Sequence, residues 1–360
     1  MIKQILLLFS VVSLSLSGLA QSDTATSYST GFFEGFDDSY RGNASIRVAF
    51  YNLENLFDTY DDTLKNDESF LPDGDHHWNN YKYYEKSNNL GKTILSIGGW
   101  EGVEIVGVCE VENRKVLEDL TKKTVLKQTN YEILHQESPD KRGIDVALLF
   151  RPDKIKIDTV QWIQVFLGVD ARPTRDILYA TLRTSNNAQL HVFVNHWPSR
   201  YGGQMKSDPK RKEAARTVRV YIDSIMQSNS KANILLMGDF NDEPENESID
   251  KVLKATNDST FSDSTHLYNL MSHIHGNHGS HKYQGNWGVL DQFMVNQSLF
   301  KGQSHLKVME GPLVFRPPFL MTKETKYPGM KPYRTYTGFK YTGGYSDHLP
   351  IYVDLQLLNQ

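Results

Sequence analysis

Several short apolar segments of the sequence end in residues that can bind a metal ion or move a proton. A single Asp behind a strand is most often a turn residue or a helix cap. Six such endings along one chain instead indicate strand ends that point polar groups at one common site. The six are Asn52-Leu53-Glu54-Asn55, Glu110-Val111-Glu112, Asn195-His196-Trp197, Asp239-Phe240-Asn241-Asp242, Asp291-Gln292 and Ser346-Asp347-His348.

The residue types at these endings favour one kind of chemistry. Carboxylate and amide oxygens suit Mg²⁺, Mn²⁺ or Ca²⁺ better than zinc, and His196 and His348 can exchange protons near neutral pH. Covalent catalysis fits poorly, because Ser199 and Ser346 lack a Gly-x-Ser-x-Gly turn and Cys109 stands in an apolar run. The set therefore predicts attack of water on a phosphoryl group with help from a hard cation. The oxygen donors are Asn52, Glu110, Asp239, Asn241, Asp291 and Asp347.

The elements that position these residues are a mixture of strands and helices. The strand-like segments are rich in Val, Ile, Leu and Phe and are bounded by Gly, Asn, Asp or Pro. Helical spacing predicts helices at Tyr81–Ile97, Asn113–Thr121 and Asp208–Met226, the last with Asp208 as its cap and Pro209 as its first residue. No linker interrupts the chain after residue 45, which indicates one α/β domain over residues 45–360. The predicted strands are Ile46–Tyr51, Glu104–Cys109, Asp145–Phe150, Ile177–Leu182, Leu190–Val194, Asn233–Met237, Leu290–Val295 and Ile351–Leu355.

The first 44 residues differ in character from the rest of the chain. Lys3, an apolar stretch from Ile5 and the small residues ending at Ala20 are typical of a signal peptide, so we expect residues 1–20 to be removed and the protein to be periplasmic or secreted. Residues 21–44, rich in Ser, Thr, Gly and Asp, predict a flexible leader. Nothing else resembles a membrane span, so we expect no stable membrane insertion. We also expect a monomer.

Composition excludes several classes of protein. Of 360 residues, 39% are hydrophobic and 23% are charged, which excludes collagen-like and disordered chains. One cysteine cannot form an internal disulfide, and no Cys cluster exists to hold structural zinc. With 39 basic and 43 acidic residues the chain is not a polycation, so net charge does not by itself indicate nucleic-acid binding.

Taken in order along the chain, these motifs resemble those of the endonuclease/exonuclease/phosphatase superfamily. The resemblance spans residues 46–356 and is most specific in Gly238-Asp239-Phe240-Asn241 together with Ser346-Asp347-His348-Leu349-Pro350. The superfamily includes pancreatic-type deoxyribonuclease, abasic-site exonucleases, neutral sphingomyelinases and inositol-polyphosphate 5-phosphatases. The resemblance implies a four-layered sandwich of two packed mixed β-sheets flanked by helices, with the active site at one edge of the sheets.

The resemblance also implies a metal site and a way to activate water. Glu110 is expected to be the principal ligand of Mg²⁺, with Mn²⁺ or Ca²⁺ as alternatives, and Asn52 and Asp347 are expected close to the ion. Asp239 is expected to orient or deprotonate the attacking water. His348 is expected to pair with Asp291. The pattern leaves open whether His348 or Asp239 is the base.

Three further roles follow from the same resemblance. Asp291 is expected to fix the tautomer of the His348 imidazole, and His196 to act on the other side of the phosphate. Asn241 and Arg175 are expected to bind phosphate oxygens, a guanidinium being well shaped for them. For Arg175 the alternative is a surface arginine paired with Asp176.

Other polar groups have weaker interpretations. Glu54 and Glu112 fit capping or surface roles as well as support of the site, and the acidic stretch Asp58–Asp75 is interpreted as an insertion at its rim. We interpret His273, His275, His278 and His281 as a polar loop rather than a second metal site. The basic residues near His196 fit either a lip for a polyanion or a solvated helix face. They are Lys206, Lys210, Arg211, Lys212 and Arg216.

Export and the site residues favour hydrolysis of phosphodiesters, with nucleic acid as the preferred substrate and partner. A phosphomonoesterase is the alternative, and a lipid phosphodiesterase is a weaker one, for which Val314–Leu320 would be the membrane-contacting segment. A binding module without catalysis is disfavoured, because every residue of the expected site is present.

Overall fold

The structure, a computed structural model, describes residues 44–256, 265–274, 278–309 and 313–359. The predicted signal peptide and all but the last residue of the predicted leader lie outside these ranges. The helices are α1 (Asn80–Ile97), α2 (Arg114–Lys123), α3 (Gln204–Ser228) and α4 (Gln297–Lys301). The strands of the first half are β1 (Ser45–Leu56), β2 (Ile105–Val111), β3 (Glu132–His135), β4 (Asp145–Phe150), β5 (Ile155–Ile163), β6 (Ile177–Thr184), β7 (Gln189–His196) and β8 (Asn233–Asp239).

The second half contains shorter strands, which form hairpins and complete the sheets. They are β9 (Ala255–Thr256), β10 (Leu267–Asn269), β11 (His281–Tyr283), β12 (Asn286–Gly288), β13 (Asp291–Asn296), β14 (Leu306–Val308), β15 (Leu313–Val314), β16 (Met321–Lys323), β17 (Met330–Pro332), β18 (Tyr336–Thr337), β19 (Lys340–Tyr341) and β20 (Ile351–Leu357). Among the described residues no helix is both long enough and apolar enough to cross a membrane.

Two large mixed sheets make up the framework. Sheet I has the order β14-β20-β1-β2-β4-β3, with β15 also paired to β20, and sheet II has the order β5-β6-β7-β8-β13-β10-β9. The pairs β1–β2, β7–β8 and β9–β10 are parallel, and the other pairs within the two sheets are antiparallel. Small hairpins are formed by β11–β12, β16–β17 and β18–β19.

The core lies between the two sheets. Along β1, Val48 and Phe50 point into a cluster that also contains Met237 and Phe293 of sheet II. The alternate residues point the other way, as Ala49 does, into a second cluster against α1 and α2, because successive strand side chains face opposite sides of a sheet. A third cluster packs α3 on the outer face of sheet II. The predicted four-layered arrangement of two mixed sheets with helices outside is therefore confirmed.

Close packing of β7 against β8 depends on one glycine. A Cβ atom on Gly238 would lie 2.4 Å from the carbonyl oxygen of Asn195, so no larger residue fits without a shift of backbone. The register that results places Asp239 beside His196 on one side and beside Asp291 of β13 on the other. Strand pairing alone thus puts three of the predicted site residues in one row.

Two of the predicted helices begin within one residue of their expected first residues, and the third begins earlier. Asn79 and Asn113 accept the hydrogen bonds that cap α1 and α2. Helix α3 begins at Gln204, so Asp208 is not its cap and Pro209 lies inside it. The buried guanidinium of Arg211 donates to the Gln204 carbonyl. This hydrogen bond stabilises the additional first turn of α3.

Candidate active site

Asp239 lies at the centre of a group of buried polar side chains at one end of sheet II. Its Oδ1 accepts a hydrogen bond from the Asn241 backbone N–H at 2.9 Å, and its Oδ2 accepts one from Asn52 Nδ2 at 3.0 Å. The Nε2 atoms of His196 and His348 each lie 3.8 Å from the same Oδ2. Burial, together with the nearby carboxylate of Asp291, raises the pKa of Asp239 to about 7 despite the opposing effect of His348.

His348 and Asp291 form the predicted dyad. His348 Nδ1 lies 2.7 Å from Asp291 Oδ2, which also accepts a hydrogen bond from the Ser280 hydroxyl. Because an ionised carboxylate can only accept, Nδ1 carries the proton and Nε2 faces Asp239. Burial lowers the pKa of His348, but the Asp291 and Asp239 carboxylates outweigh it and hold that pKa well above its usual value.

The pKa of His196 is shifted in the opposite direction from that of His348. Its side chain is 2% exposed, and its Nε2 lies 3.7 Å from Glu110 Oε1. Its Nδ1 has no hydrogen-bond partner among the described residues. Burial, with the positive charge of Arg175, lowers the pKa of His196 well below its usual value, so this imidazole is neutral at neutral pH.

Glu110 reaches the site because β2 is irregular at its end. Its backbone has φ +59°, and the pairing of β2 with β4 shifts register between Cys109 and Val111. A bulge of this kind re-aims a side chain, and such strained residues cluster at functional sites. Glu54 and Asn55, also at positive φ, lie near the end of the neighbouring strand β1. The Asn55 N–H donates to Glu110 Oε2 at 2.9 Å and holds the carboxylate in place.

The acidic groups fit a divalent cation. Glu110, Asp239 and Asp291 interact unfavourably, since the charges of the other two raise the pKa of Asp239, and oxygen donors of this kind suit Mg²⁺ or Ca²⁺. Ligand atoms of Asp239, Asp291 and His348 lie within 4.8 Å of one another. Asn52 lies next to Asp239, with its Oδ1 bonded to the Glu54 N–H at 2.9 Å.

Asp347 is placed differently from the other expected metal-site residues. Its Oδ2 lies 3.0 Å from Nη2 of Arg334. Burial opposes ionisation, but Arg334 and His348 lower the pKa of Asp347 to about 2. Arg334 also donates from Nε to Glu54 Oε1 at 2.9 Å, so it links two acids at the edge of the site.

Arg175 is buried and is not paired with Asp176. Its Nη1 lies 3.3 Å from Asp140 Oδ2, and its Nη2 donates to the Trp197 carbonyl at 2.7 Å. The Asn241 amide donates to the same carbonyl at 3.1 Å. Both residues expected to bind phosphate therefore anchor the end of β7, and the Nε of Arg175 has no partner among the described residues.

Sequence reasoning missed three residues at this site. Ser280 binds the dyad carboxylate, Arg334 pairs with Asp347, and His281 packs on His348 with ring centroids 4.6 Å apart. Burial lowers the pKa of His281 to about 4. His281 therefore belongs to the site and is more than part of a polar loop. No local motif marks these residues, because each comes from a short hairpin or loop.

The basic residues of α3 do not form an open lip as a group. Arg211 is fully buried and its Nε lies 2.7 Å from Asp242 Oδ2. Lys212 pairs with Asp208 and Glu247, and Arg216 pairs with Glu213. Lys206 and Lys210 are exposed. Most of the positive charge near β7 is thus already neutralised within the protein.

Glu112 supports the acidic insertion at the rim and gives the protein a pH-dependent stability. Its Oε2 accepts a hydrogen bond from the Asp58 N–H at 2.6 Å, and burial, aided by the Asp58 and Asp67 carboxylates, raises the pKa of Glu112 from 4.5 to about 8. The folded protein then binds more protons here than the unfolded chain, so this group's contribution to the free energy of unfolding falls as pH rises from 4.5 to about 8.

We expect Glu112→Gln, which keeps the acceptor oxygen, to remove that fall. Relative to the unmodified protein, the variant should gain about 4 kcal/mol in free energy of unfolding between about pH 5 and 9. Urea unfolding in EDTA at both pH values measures the difference. The exposed Glu132→Gln serves as the control, and an equal pH dependence in both variants would contradict the prediction.

Comparisons with known proteins give a consistent result. The model of the endonuclease/exonuclease/phosphatase family matches residues 47–357, whereas no curated protein sequence matches the chain. Among solved structures, the catalytic domain of human Nocturnin is 17% identical, with 87% of this chain and 94% of that one covered and a TM-score of 0.52.

Two other similar structures belong to a sugar phosphatase and to a protein solved with DNA. A mannosyl-6-phosphatase from Bacteroides thetaiotaomicron is 16% identical, covers 86% of this chain and 99% of its own, and has a TM-score of 0.55. The TDP2 protein of D. rerio, solved with a single-strand DNA product, is 13% identical, covers 87% and 99%, and has a TM-score of 0.52. At these identities the likeness shows the fold alone.

Proposed function

The chain belongs to the endonuclease/exonuclease/phosphatase family, and we propose that it is an exported, divalent-metal-dependent phosphodiesterase that cleaves nucleic acid. The observation that carries this proposal is Asp239 Oδ2, which lies 3.8 Å from Nε2 of both imidazoles, one of which also lies 3.7 Å from the carboxylate of Glu110. Asp239 thus lies between one histidine whose pKa is raised and one whose pKa is lowered. Groups whose surroundings move their pKa values apart can serve separately as the base and as the stabiliser of charge.

Glu110 would hold the cation, with Asn52 and Asp347 close by. Mg²⁺, or Mn²⁺ or Ca²⁺ in its place, would supply neutralisation of charge on the phosphate oxygens. In this assignment Glu110 is kept in position by the Asn55 N–H. Asp347 is ionised over the working pH range because Arg334 lowers its pKa.

Asp239 fits the base better than His348 does. With a pKa near 7 it can accept a proton from water at neutral pH. His348 is held protonated by Asp291 and Asp239, so it suits a phosphate oxygen or the negative charge that develops on it. His196, being neutral, would bind the other side of the phosphate or the leaving oxygen.

Asn241 and Arg175 would support catalysis by holding the end of β7 in place more than by binding the phosphate directly. Their amide and guanidinium groups both donate to the Trp197 carbonyl. Arg175 also lowers the pKa of His196 through its charge, which supports a neutral imidazole at this position.

A phosphomonoesterase is the second candidate. The paired state of Arg211, Lys212 and Arg216 leaves few free cations for a long polyanion. A structural relative of this chain is a mannosyl-6-phosphatase. A lipid phosphodiesterase is disfavoured, because Phe315 and Leu320 of the suggested membrane segment are buried in the core.

The N-terminus and the assembly complete the proposal. We propose that residues 1–20 direct export and are removed near Ala20, and that residues 45–360 act as one catalytic domain in a monomer without membrane insertion. A mature N-terminus at Gln21, found by mass spectrometry of the exported protein, would support this processing. Retention of residues 1–20 would contradict it.

Nicking of supercoiled plasmid by residues 21–360 tests the proposed activity. We expect nicking that requires Mg²⁺, stops in EDTA and disappears in His348→Ala, because that variant loses the charge paired with Asp291 and Asp239. His273→Ala, at an exposed histidine, should retain it. If metal-loaded, folded protein does not nick DNA or RNA but releases phosphate from sugar phosphates, the phosphomonoesterase replaces the nuclease.

A further inference from the structure

A cavity of about 170 Å³ opens beside the candidate active site. Four ring side chains line it, together with Asn55 and Arg334. Cavities that take a complete small-molecule ligand are commonly about 300–1,000 Å³, whereas a cavity of about 150 Å³ accepts benzene. This cavity therefore has room for one ring of a substrate. The four ring residues are Phe70, His76, Trp78 and Tyr336.

The cavity shares two walls with the proposed metal site. Asn55, which lines the cavity, donates its N–H to Glu110 at 2.9 Å. Arg334, on another wall, places Nη2 3.0 Å from Asp347 Oδ2. A group bound in the cavity would thus lie next to residues that contact Glu110 and Asp347.

The rings of the cavity are held in place before any ligand binds. Phe70 stacks on His76 with centroids 4.6 Å apart, and Tyr336 meets His76 edge-on at 4.6 Å. The Tyr336 hydroxyl donates to the His76 carbonyl at 2.8 Å, and Trp78 Nε1 donates to the Phe57 carbonyl at 3.0 Å. Because these rings are already ordered, binding of a planar group does not include the free-energy cost of ordering them.

The polar groups that line the cavity favour a nucleobase over a sugar as the bound group. Both Glu54 oxygens are already used, by Arg334 Nε and by the Thr335 N–H, so this carboxylate is not available to several hydroxyl groups. Phe339 is 69% exposed, and its ring centroid lies 5.6 Å from that of His76, so it extends the aromatic surface outward from the cavity. Aromatic side chains next to a phosphate site are suited to stack a nucleobase.

We propose that this cavity is a base-binding subsite, which receives the nucleobase of a nucleotide attached to the scissile phosphate. The inference rests on the proposed function and makes it more specific: the substrate is a phosphodiester that carries a base, and cleavage is faster when the base is present. Stacking of one base contributes about 1–3 kcal/mol, which corresponds to about 5- to 150-fold in binding.

Two variants alter the subsite without touching the proposed catalytic groups. Phe339→Ala removes the exposed ring that stands outside the cavity beside His76. Gly338→Asn adds a side chain to a residue that lines the cavity, where a Cβ meets no atom within 4 Å. Gly338 has φ +60°, which Asn tolerates better than most residues. Trp100→Ala is the control, since Trp100 is 86% exposed and follows α1 at the end opposite to Asn79.

The first experiment compares a single-stranded oligothymidylate with an oligomer of equal length made of abasic units. In the unmodified protein and in Trp100→Ala, kcat/KM should be about 10-fold or more higher for the base-bearing substrate. In both subsite variants that ratio should fall toward one, with the abasic substrate cleaved at an unchanged rate. Equal cleavage of the two oligomers by the unmodified protein, or equal losses on both in the variants, would overturn the subsite.

A second experiment separates failure of the subsite from failure of the proposed function. Binding of AMP and of mannose 6-phosphate is measured by calorimetry with Mg²⁺ present. If no oligomer is cleaved, AMP binding that weakens about 5-fold or more in Phe339→Ala and Gly338→Asn still supports the subsite. Binding of mannose 6-phosphate without binding of AMP would overturn it.

Discussion

Replacement of Asp239 by alanine is expected to lower the rate of metal-dependent phosphodiester hydrolysis by about 10²–10⁴-fold. The physical reason is position: Oδ2 of this carboxylate accepts from Asn52 and lies within 3.8 Å of both His196 and His348. Its removal takes away the acid with a pKa near neutrality and the negative charge that keeps His348 protonated. The loss should appear mainly in kcat, since the substrate's phosphate is still held by other groups.

The variant should remain folded, because the lost carboxylate is itself destabilised by burial. A melting temperature close to that of the unmodified protein and an unchanged circular dichroism spectrum would establish this. Asp250→Ala, which removes an exposed carboxylate, is the control and should leave kcat unaltered. Turnover by Asp239→Ala within a few fold of the unmodified enzyme would show that the base is elsewhere, and His348 would then be the next candidate.

Replacement of Glu110 by glutamine is expected to have a comparable effect through loss of the metal. The neutral amide is a weaker ligand than a carboxylate for a hard cation. The bulge that holds Glu110 at φ +59° depends on backbone pairing and should persist in the variant. We expect Mn²⁺ affinity, measured by electron paramagnetic resonance or calorimetry, to fall by about 10²-fold or more, since even groups that only support a ligand contribute 10–100-fold.

Activity as a function of metal concentration gives a second measure. Raised Mg²⁺ should partly restore hydrolysis in Glu110→Gln but not in Asp239→Ala, because only the first defect is one of metal affinity. Glu245→Gln, at an exposed position, should match the unmodified protein. Metal affinity unchanged in Glu110→Gln would remove Glu110 from the metal site and direct attention to Asp347 and its neighbours.

The central strands and the presence of three helices could be predicted from the sequence because their signals are local. Strands such as Asn233–Asp239 are buried on both faces and are nearly continuous in apolar residues. Strand β5, Ile155–Ile163, lies at the edge of sheet II and is largely exposed, so its polar sequence carried no strand signal. The early start of α3 is supported by Arg211, which donates to the Gln204 carbonyl and pairs with Asp242 outside the helix.

The expected site residues were identifiable in type, and the family resemblance implied the His348–Asp291 pair, but most of the other contacts at the site were not predictable. The His348–Asp291 pair joins residues 57 positions apart, one in the loop before β20 of sheet I and one at the start of β13 of sheet II. Arg334 and Glu54 are 280 positions apart. Arg175 was expected either to bind a phosphate oxygen or to pair with Asp176 at the surface, yet it is buried and bound to Asp140, because the fold closes over the end of β7.

The sequence by itself determined which chemical groups stand at the ends of the strands, and with them the family, the layered fold and the class of reaction. Only the tertiary structure decided which of these groups meet, which imidazole is charged, and that a ring-lined cavity adjoins the site. The reason is physical. Residue type and strand period are properties of a short segment, whereas a pKa, an ion pair or a cavity depends on burial and on partners that packing brings from distant parts of the chain.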